Sequence, residues 1–191
     1  MRETTKAFEI RRERGDFQRY LVGKGIDIGA GDDSLYILNG SVRSYDKRDG
    51  NAQFMAEIAD ASYDFVYSSH CLEHIADVQL ALRNWVRIIK PGGILYIVVP
   101  DFELYEKGMW PSRFNADHKA SFSIARLPVD RRTHYTMHDL VMWLDLELGV
   151  STLELRLEDA GFDRTRFALD QTMAEHGWAQ EQICLIGYKR K

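Results

Sequence analysis

Lys24-Gly25-Ile26-Asp27-Ile28 is a short apolar run that meets Gly29-Ala30-Gly31-Asp32-Asp33 abruptly. A strand ending this sharply needs residues free of Cβ clashes, and glycine at 29 and 31 also lets backbone come close to a ligand. The same turn serves as an ordinary strand-to-helix junction in α/β proteins. In a dinucleotide fingerprint the third glycine would stand at 34, where this chain has Ser34. The cradle therefore suits a ligand smaller than a dinucleotide.

Ser41-Val42-Arg43-Ser44-Tyr45-Asp46 reads as a second strand ending in a carboxylate. In doubly wound sheets a carboxylate at that place accepts hydrogen bonds from ribose hydroxyls. With Tyr63-Asp64-Phe65-Val66-Tyr67-Ser68-Ser69-His70-Cys71-Leu72-Glu73-His74 and the turn Lys90-Pro91-Gly92-Gly93, the chain resembles class I S-adenosylmethionine-dependent methyltransferases of the small-molecule type. The resemblance is close over residues 20 to 100 and elsewhere lies only in the order of elements.

It implies a Rossmann-like α/β fold: a doubly wound, mostly parallel seven-stranded sheet with an antiparallel C-terminal hairpin, compressed between strands 2 and 4. It also implies S-adenosylmethionine as cofactor, held by Asp27, Gly29, Ala30, Gly31, Asp46, Lys47, Ala52, Gln53, Phe54, Ser68, Ser69 and His70. Asn51 to Met55 is read as an abbreviated third strand, with Gln53 bonding an adenine edge and Phe54 or Met55 packing on its face.

At 191 residues the chain is most simply one domain, 1–191. A net charge of −4 argues against a nucleic-acid partner. No Asn/Asp-Pro-Pro-aromatic tetrapeptide follows the Tyr67 strand, which also counts against an enzyme that methylates amino groups of bases. Cys71 and Cys184 suit neither a disulfide framework nor a zinc site, so a reducing cytoplasm is expected. The apolar run Ile94 to Pro100 is too short to span a bilayer, and Met1 to Lys6 has no secretion-signal core, so no membrane association is expected.

Residues 1–22 read as a helical cover, with Tyr20 either over the cofactor's methionine end or packed on the sheet edge. Ser34 to Leu38 allows only a short helix before Asn39-Gly40. Asp77 caps a helix whose Val78, Ala81, Leu82, Trp85, Val86, Ile88 and Ile89 recur at three- and four-residue steps. Ile94 to Val99 is the next strand. The polar and aromatic segment 101–135 is the expected substrate-recognition insertion, where His118 is the leading candidate for a general base and His70 the second. Asn115 or Asp117 would orient His118, and Arg113 or Lys119 would meet an anionic acceptor. His74 either fixes its loop or touches substrate.

His134 and His138 are spaced as on one helix face but lack a metalloprotease glutamate, so no metal is expected. Thr136 to Leu148 reads as a helix apolar on more than one face, fit for a homodimer contact. Ser151 and Glu154 read as a capping box opening a helix to Asp159, and Arg164–Leu169 with Ile183–Tyr188 as the closing hairpin.

These expectations converge on methyl transfer to an oxygen or nitrogen of a small-molecule acceptor, with a sugar or glycan precursor as the best class. The alternatives are a non-catalytic S-adenosylmethionine-binding or partner-supporting protein, and a nucleotide-dependent oxidoreductase that Ser34 disfavours.

Overall fold

The computed structural model describes residues 3–125, 132–172 and 179–191. Its strands are β1 (Gly23–Ile28), β2 (Gly40–Tyr45), β3 (Tyr63–Ser69), β4 (Ile89–Pro100), β5 (Ser121–Ser123), β6 (His134–Thr136), β7 (Val150–Glu158) and β8 (Gln182–Lys189). The helices are α1 (Glu3–Glu13), α2 (Asp16–Tyr20), α3 (Val78–Ile88) and α4 (Met137–Leu148). Six strands form one sheet in the order β2-β1-β3-β4-β8-β7, while β5 and β6 pair apart. The β2, β1, β3 and β4 strands run parallel, and β8 and β7 add in antiparallel fashion.

Strand periodicity sorts the core into two layers. Ile26, Ile28, Val66, Leu95, Ile97 and Leu185 face α3 and α4, burying Leu82, Trp85, Leu140 and Leu144. Phe65, Tyr67, Tyr96, Val98 and Ile186 face the other way, onto Phe17, Leu21, Leu35 and Ile37. The α3 helix begins where the sequence places it, with the Asp77 carboxylate accepting from the Leu80 amide at 2.9 Å. Removing the apolar stripe of such a helix from water stabilises by roughly 25 cal/mol per Å², and this burial anchors the central strands.

Several expectations are corrected. The main sheet has six strands, and the missing one is the expected third. From Asn51 to Met55 the chain turns: the amides of Phe54 and Met55 both reach the Asn51 carbonyl, at 3.1 and 2.9 Å. The segment between β2 and β3 is too short for a strand and its crossover, so β2 is the edge. Ser34 to Leu38 forms no helix. Residues 151–158, expected to be helical, lie in β7, pairing with β8 from Val150 to Glu158. Leu153, Leu155 and Leu157 alternate with Glu154, Arg156 and Glu158, a period-two signal that outweighs the capping box. The hairpin is therefore β7 with β8, and Arg164–Arg166 is a single 3-10 turn.

The N-terminal helices cover the second face of the sheet. Phe8 stacks on Tyr67 with ring centroids 6.3 Å apart. Arg11, fully buried, donates to the Tyr67 hydroxyl at 2.7 Å and to Glu158 at 3.2 Å. Arg14 and Arg156 converge on the same carboxylate, and Arg156 also pairs with Asp16. Burial opposes ionisation of Glu158, but Arg11, Arg14 and Arg156 overcome it and hold its pKa at about 2. The polar side of β7 is thus a buried ionic seam against α1 and α2. The α4 helix packs on one side only, leaving Met142 and Leu146 59% and 76% exposed.

Candidate active site

Strand order reverses at β1, which has β2 on one side and β3 on the other. The crevice beyond the carboxyl ends at such a point is where open α/β sheets bind ligands. A cleft of about 690 Å³ lies there, lined by Gly29, Asp46, Lys47, Asn51 to Gln53, His70, Cys71, His74, Asp117 and Lys119 among others. A smaller apolar groove of about 320 Å³ lies between α1, α2 and residues 33–39, away from these histidines.

Gly29 forms the floor of the cleft. Its φ is +84°, and a Cβ there would come within 2.4 Å of the Cys71 Cβ, so only glycine fits. The Gly29 amide is tied to the Tyr45 carbonyl at 2.8 Å, which fixes the turn against the end of β2. Asp46 follows directly, with one carboxylate oxygen accepting from the Lys47 amide at 2.7 Å.

Asp27 acts from behind the turn. It is buried and accepts from the Leu35 amide at 2.7 Å, pinning the loop that leaves Gly31. Burial pushes its pKa up from 3.8 to about 7 despite that hydrogen bond. Below pH 3.8 the group is protonated whether the chain is folded or not. As pH rises toward 7, only the unfolded chain ionises freely, and stability falls. Asp27→Asn keeps an acceptor for Leu35 and removes this penalty. Thermal melts are expected to show the variant more stable by about 1–2 kcal/mol at pH 8 and little changed at pH 3.5; an equal shift at both values would contradict this account.

The remaining expected cofactor residues divide. Ala52, Gln53 and His70 line the cleft with Asp46 and Lys47. Gln53 uses its side-chain oxygen to accept from the Asp77 amide at 3.0 Å, so its amide nitrogen is what remains for a ligand. Phe54 is 47% exposed and Met55 is in the core, so neither lines the cleft. Ser68 is buried, donating to the Ile28 carbonyl at 2.9 Å, and Ser69 is buried beside it. Ala30 and Gly31 continue the turn outside the cleft lining.

Among the expected acceptor residues, Tyr20 donates to Glu154 on β7 and does not line the cleft. Arg113 is exposed, and Asn115 accepts from the Asp117 amide at 3.1 Å; neither lines the cleft. Residues 126–131 of the 101–135 insertion lie outside the described residues. His134 has Ser121 and Ser123 hydroxyls on its two ring nitrogens, each at 2.9 Å, and so binds no metal with His138.

The histidines form a cluster on the cleft wall. His70 Nε2 meets the Gln182 side-chain oxygen at 2.8 Å, and Gln182 donates in turn to Glu158 at 2.6 Å, so the imidazole donates. This links the site to the ionic seam. His118 is not oriented by Asn115 or Asp117: its Nδ1 sits 2.6 Å from Glu106, and its side chain is 4% exposed. The amides of Lys119 and Ala120 both reach the Glu73 carbonyl, at 2.7 and 3.0 Å, which brings His118 beside Glu73 and His74. Glu73 is 1% exposed. Burial disfavours its charge, yet His70, His74 and His118 hold its pKa below the ordinary value. Glu73 and Glu106 were missed in the sequence. Glu73 stands inside Leu72-Glu73-His74 and was legible there, whereas Glu106 carries no local signal.

Known proteins resemble this chain in sequence and in fold. Residues 15–97 match a family model described as a methyltransferase domain. Over 111 residues the chain is 31% identical to the ubiquinone/menaquinone biosynthesis C-methyltransferase UbiE of Vibrio parahaemolyticus, covering 56% of this chain and 40% of that protein, so it spans under half that relative's length. Solved structures share the fold. A chain of the complex between the Haloferax volcanii Trm112 methyltransferase activator and a methyltransferase superposes with a TM-score of 0.58 at 16% identity, covering 99% of this chain and 97% of that one. An S-adenosylmethionine-dependent methyltransferase from Thermotoga maritima gives 0.55 at 17% identity, covering 97% and 98%. The Burkholderia thailandensis 1,6-didemethyltoxoflavin-N1-methyltransferase, solved with S-adenosylhomocysteine, gives 0.51 at 11% identity, covering 93% and 75%. Among the described residues, no helix is long and apolar enough to cross a membrane. The glycine turn and the carboxylate ending β2 thus fall within the stretch, residues 15–97, that matches a methyltransferase domain, and the fold is one shared with S-adenosylmethionine-dependent methyltransferases.

Proposed function

We propose that the switch-point cleft binds S-adenosylmethionine and that the protein transfers its methyl group to an oxygen or nitrogen of a small acceptor, with a hydroxylated sugar or glycan precursor as the preferred class. The observation that carries the reading is the pairing of Gly29 with Asp46 on one cleft at the end of β1 and β2. The Gly29 turn leaves room for the methionine end, and the free oxygen of Asp46 is suited to ribose hydroxyls. Asn51 and Gln53, with Ala52 between them, provide the wall for the adenine. At about 690 Å³ the cleft falls in the size range of small-ligand pockets.

When bound, the sulfonium supplies a methyl group that is already electrophilic. The protein's work is to align the acceptor and exclude water. His74, Asp117 and Lys119 form the rim on which an acceptor would rest. His70 and His118 are engaged by Gln182 and Glu106, which gives both a positioning role ahead of that of a free base. The exposed Met142 and Leu146 on α4 are the surface on which the expected homodimer would form.

The reading is tested with radiolabelled S-adenosylmethionine and a panel of sugars, phenols and amines. Label is expected on at least one acceptor and to be lost in Asp46→Ala. Cofactor binding with no labelled acceptor would favour the non-catalytic binding protein instead.

A further inference from the structure

We propose that Glu73, His74 and His118 form a site for one divalent transition-metal ion, set in the wall of the cleft where the acceptor would bind. One potential ligand atom from each lies within 4.8 Å of the other two. The hydrogen bonds determine which atoms these are. His74 Nδ1 faces the Asp117 carbonyl and carboxylate, both at 3.3 Å, and so carries its proton. His118 Nδ1 faces Glu106 at 2.6 Å and carries its own. The bare Nε2 of each ring is left, and that of His74 lies 3.9 Å from the Glu73 carboxylate.

Both Glu73 oxygens are buried without a hydrogen-bond partner. His70 Nδ1 stands 3.6 Å from Glu73 Oε1 on the other side, beyond hydrogen-bond reach, so this buried charge has room for a cation between it and the His74 and His118 rings. The two rings meet edge to face, 4.9 Å between centroids, as they would in converging on one ion. Glu106 and Asp117 then act as the outer carboxylate and carbonyl that hold metal-binding imidazoles in one tautomer. Two histidines and one carboxylate suit zinc, iron(II), cobalt or manganese and leave coordination positions open. Ligands about 2.0–2.2 Å from an ion in tetrahedral geometry sit roughly 3.4 Å apart, within reach of side-chain adjustment.

Because His74 lines the cleft, the open positions face the acceptor. Resting on the methyl-transfer reading, this selects an acceptor that binds through a hydroxyl oxygen. The O–H bond breaks with its proton passing to water. The new O–C bond then forms as the S–C bond breaks, and S-adenosylhomocysteine leaves with the electron pair on sulfur.

Chelator-treated protein is titrated with Co²⁺, followed by calorimetry and visible absorption, and separately with S-adenosylhomocysteine. One Co²⁺ per chain with ligand-field bands of nitrogen and oxygen coordination is expected. Glu73→Gln and the partly exposed His74→Ala should each weaken it by at least about 100-fold, and Glu106→Gln by about 10–100-fold. No uptake, or uptake unchanged in His74→Ala, overturns the site and leaves protonated histidine as the cation beside Glu73. Metal uptake without S-adenosylhomocysteine binding keeps the site but sinks the methyl-transfer reading, so the two failures are distinguishable.

Discussion

Replacing Glu158 by alanine is expected to cost about 3–5 kcal/mol of folding stability, the scale for breaking a buried ion pair from one side. Arg11 is fully buried, and its remaining partner would be the Tyr67 hydroxyl. Arg14 and Arg156 would lose the same carboxylate, and Gln182 would lose the acceptor that orients it toward His70. Urea unfolding at pH 7 reads the loss as a lower midpoint at similar slope. The wild type also gives an acid signature. Its folded pKa of about 2 lies below the ordinary 4.5, so the stabilisation is complete above pH 4.5 and drains away as pH falls toward 2. The variant should lack that acid limb. A change below about 1 kcal/mol would mean the seam is no better than a surface pair.

Replacing Gly29 by alanine should damage both the fold and the cleft. The methyl group would have to share space with the Cys71 side chain, 2.4 Å away at Cβ and 2.7 Å at Sγ, on a backbone with φ of +84°. The left-handed backbone costs an L-residue about 1–2 kcal/mol, and overpacking typically adds about 1–3. A loss of about 2–4 kcal/mol is expected, with cofactor affinity down at least about tenfold, because relief comes only by shifting the turn. Adding Cys71→Gly removes the steric share and leaves the backbone share, so the double variant should recover part of the stability. A Gly29→Ala protein with unchanged melting and binding would show that the turn is not the rigid floor described.

Much of this fold can be read from the chain. Gly29, Asp46 and the apolar faces of β3, β4 and α3 carry signals whose period and punctuation match their structures. The errors came where local rules competed. Ser151 and Glu154 match a helix cap, yet Leu153, Leu155 and Leu157 alternate as a strand that β8 is placed to receive. By analogy Asn51 to Met55 reads as a strand, although too few residues lie between β2 and β3 to build one with its crossover. In the site, Asp46, Gln53 and His70 fall where the order of strands predicts. Ser68 follows the same rule but spends its hydroxyl on β1. Glu106 meets His118 only through the folding of residues 101–120, a long-range contact without any periodic trace.

The most direct test of the account is a calorimetric titration of the protein with S-adenosylhomocysteine, repeated on Asp46→Ala. The account predicts micromolar, one-to-one binding that weakens by at least about tenfold in the variant, a loss of roughly 1.4 kcal/mol or more, with the melting temperature unchanged. No binding to the folded wild type, or equal affinity in the variant, would contradict the cleft at β1 and β2 as the cofactor site.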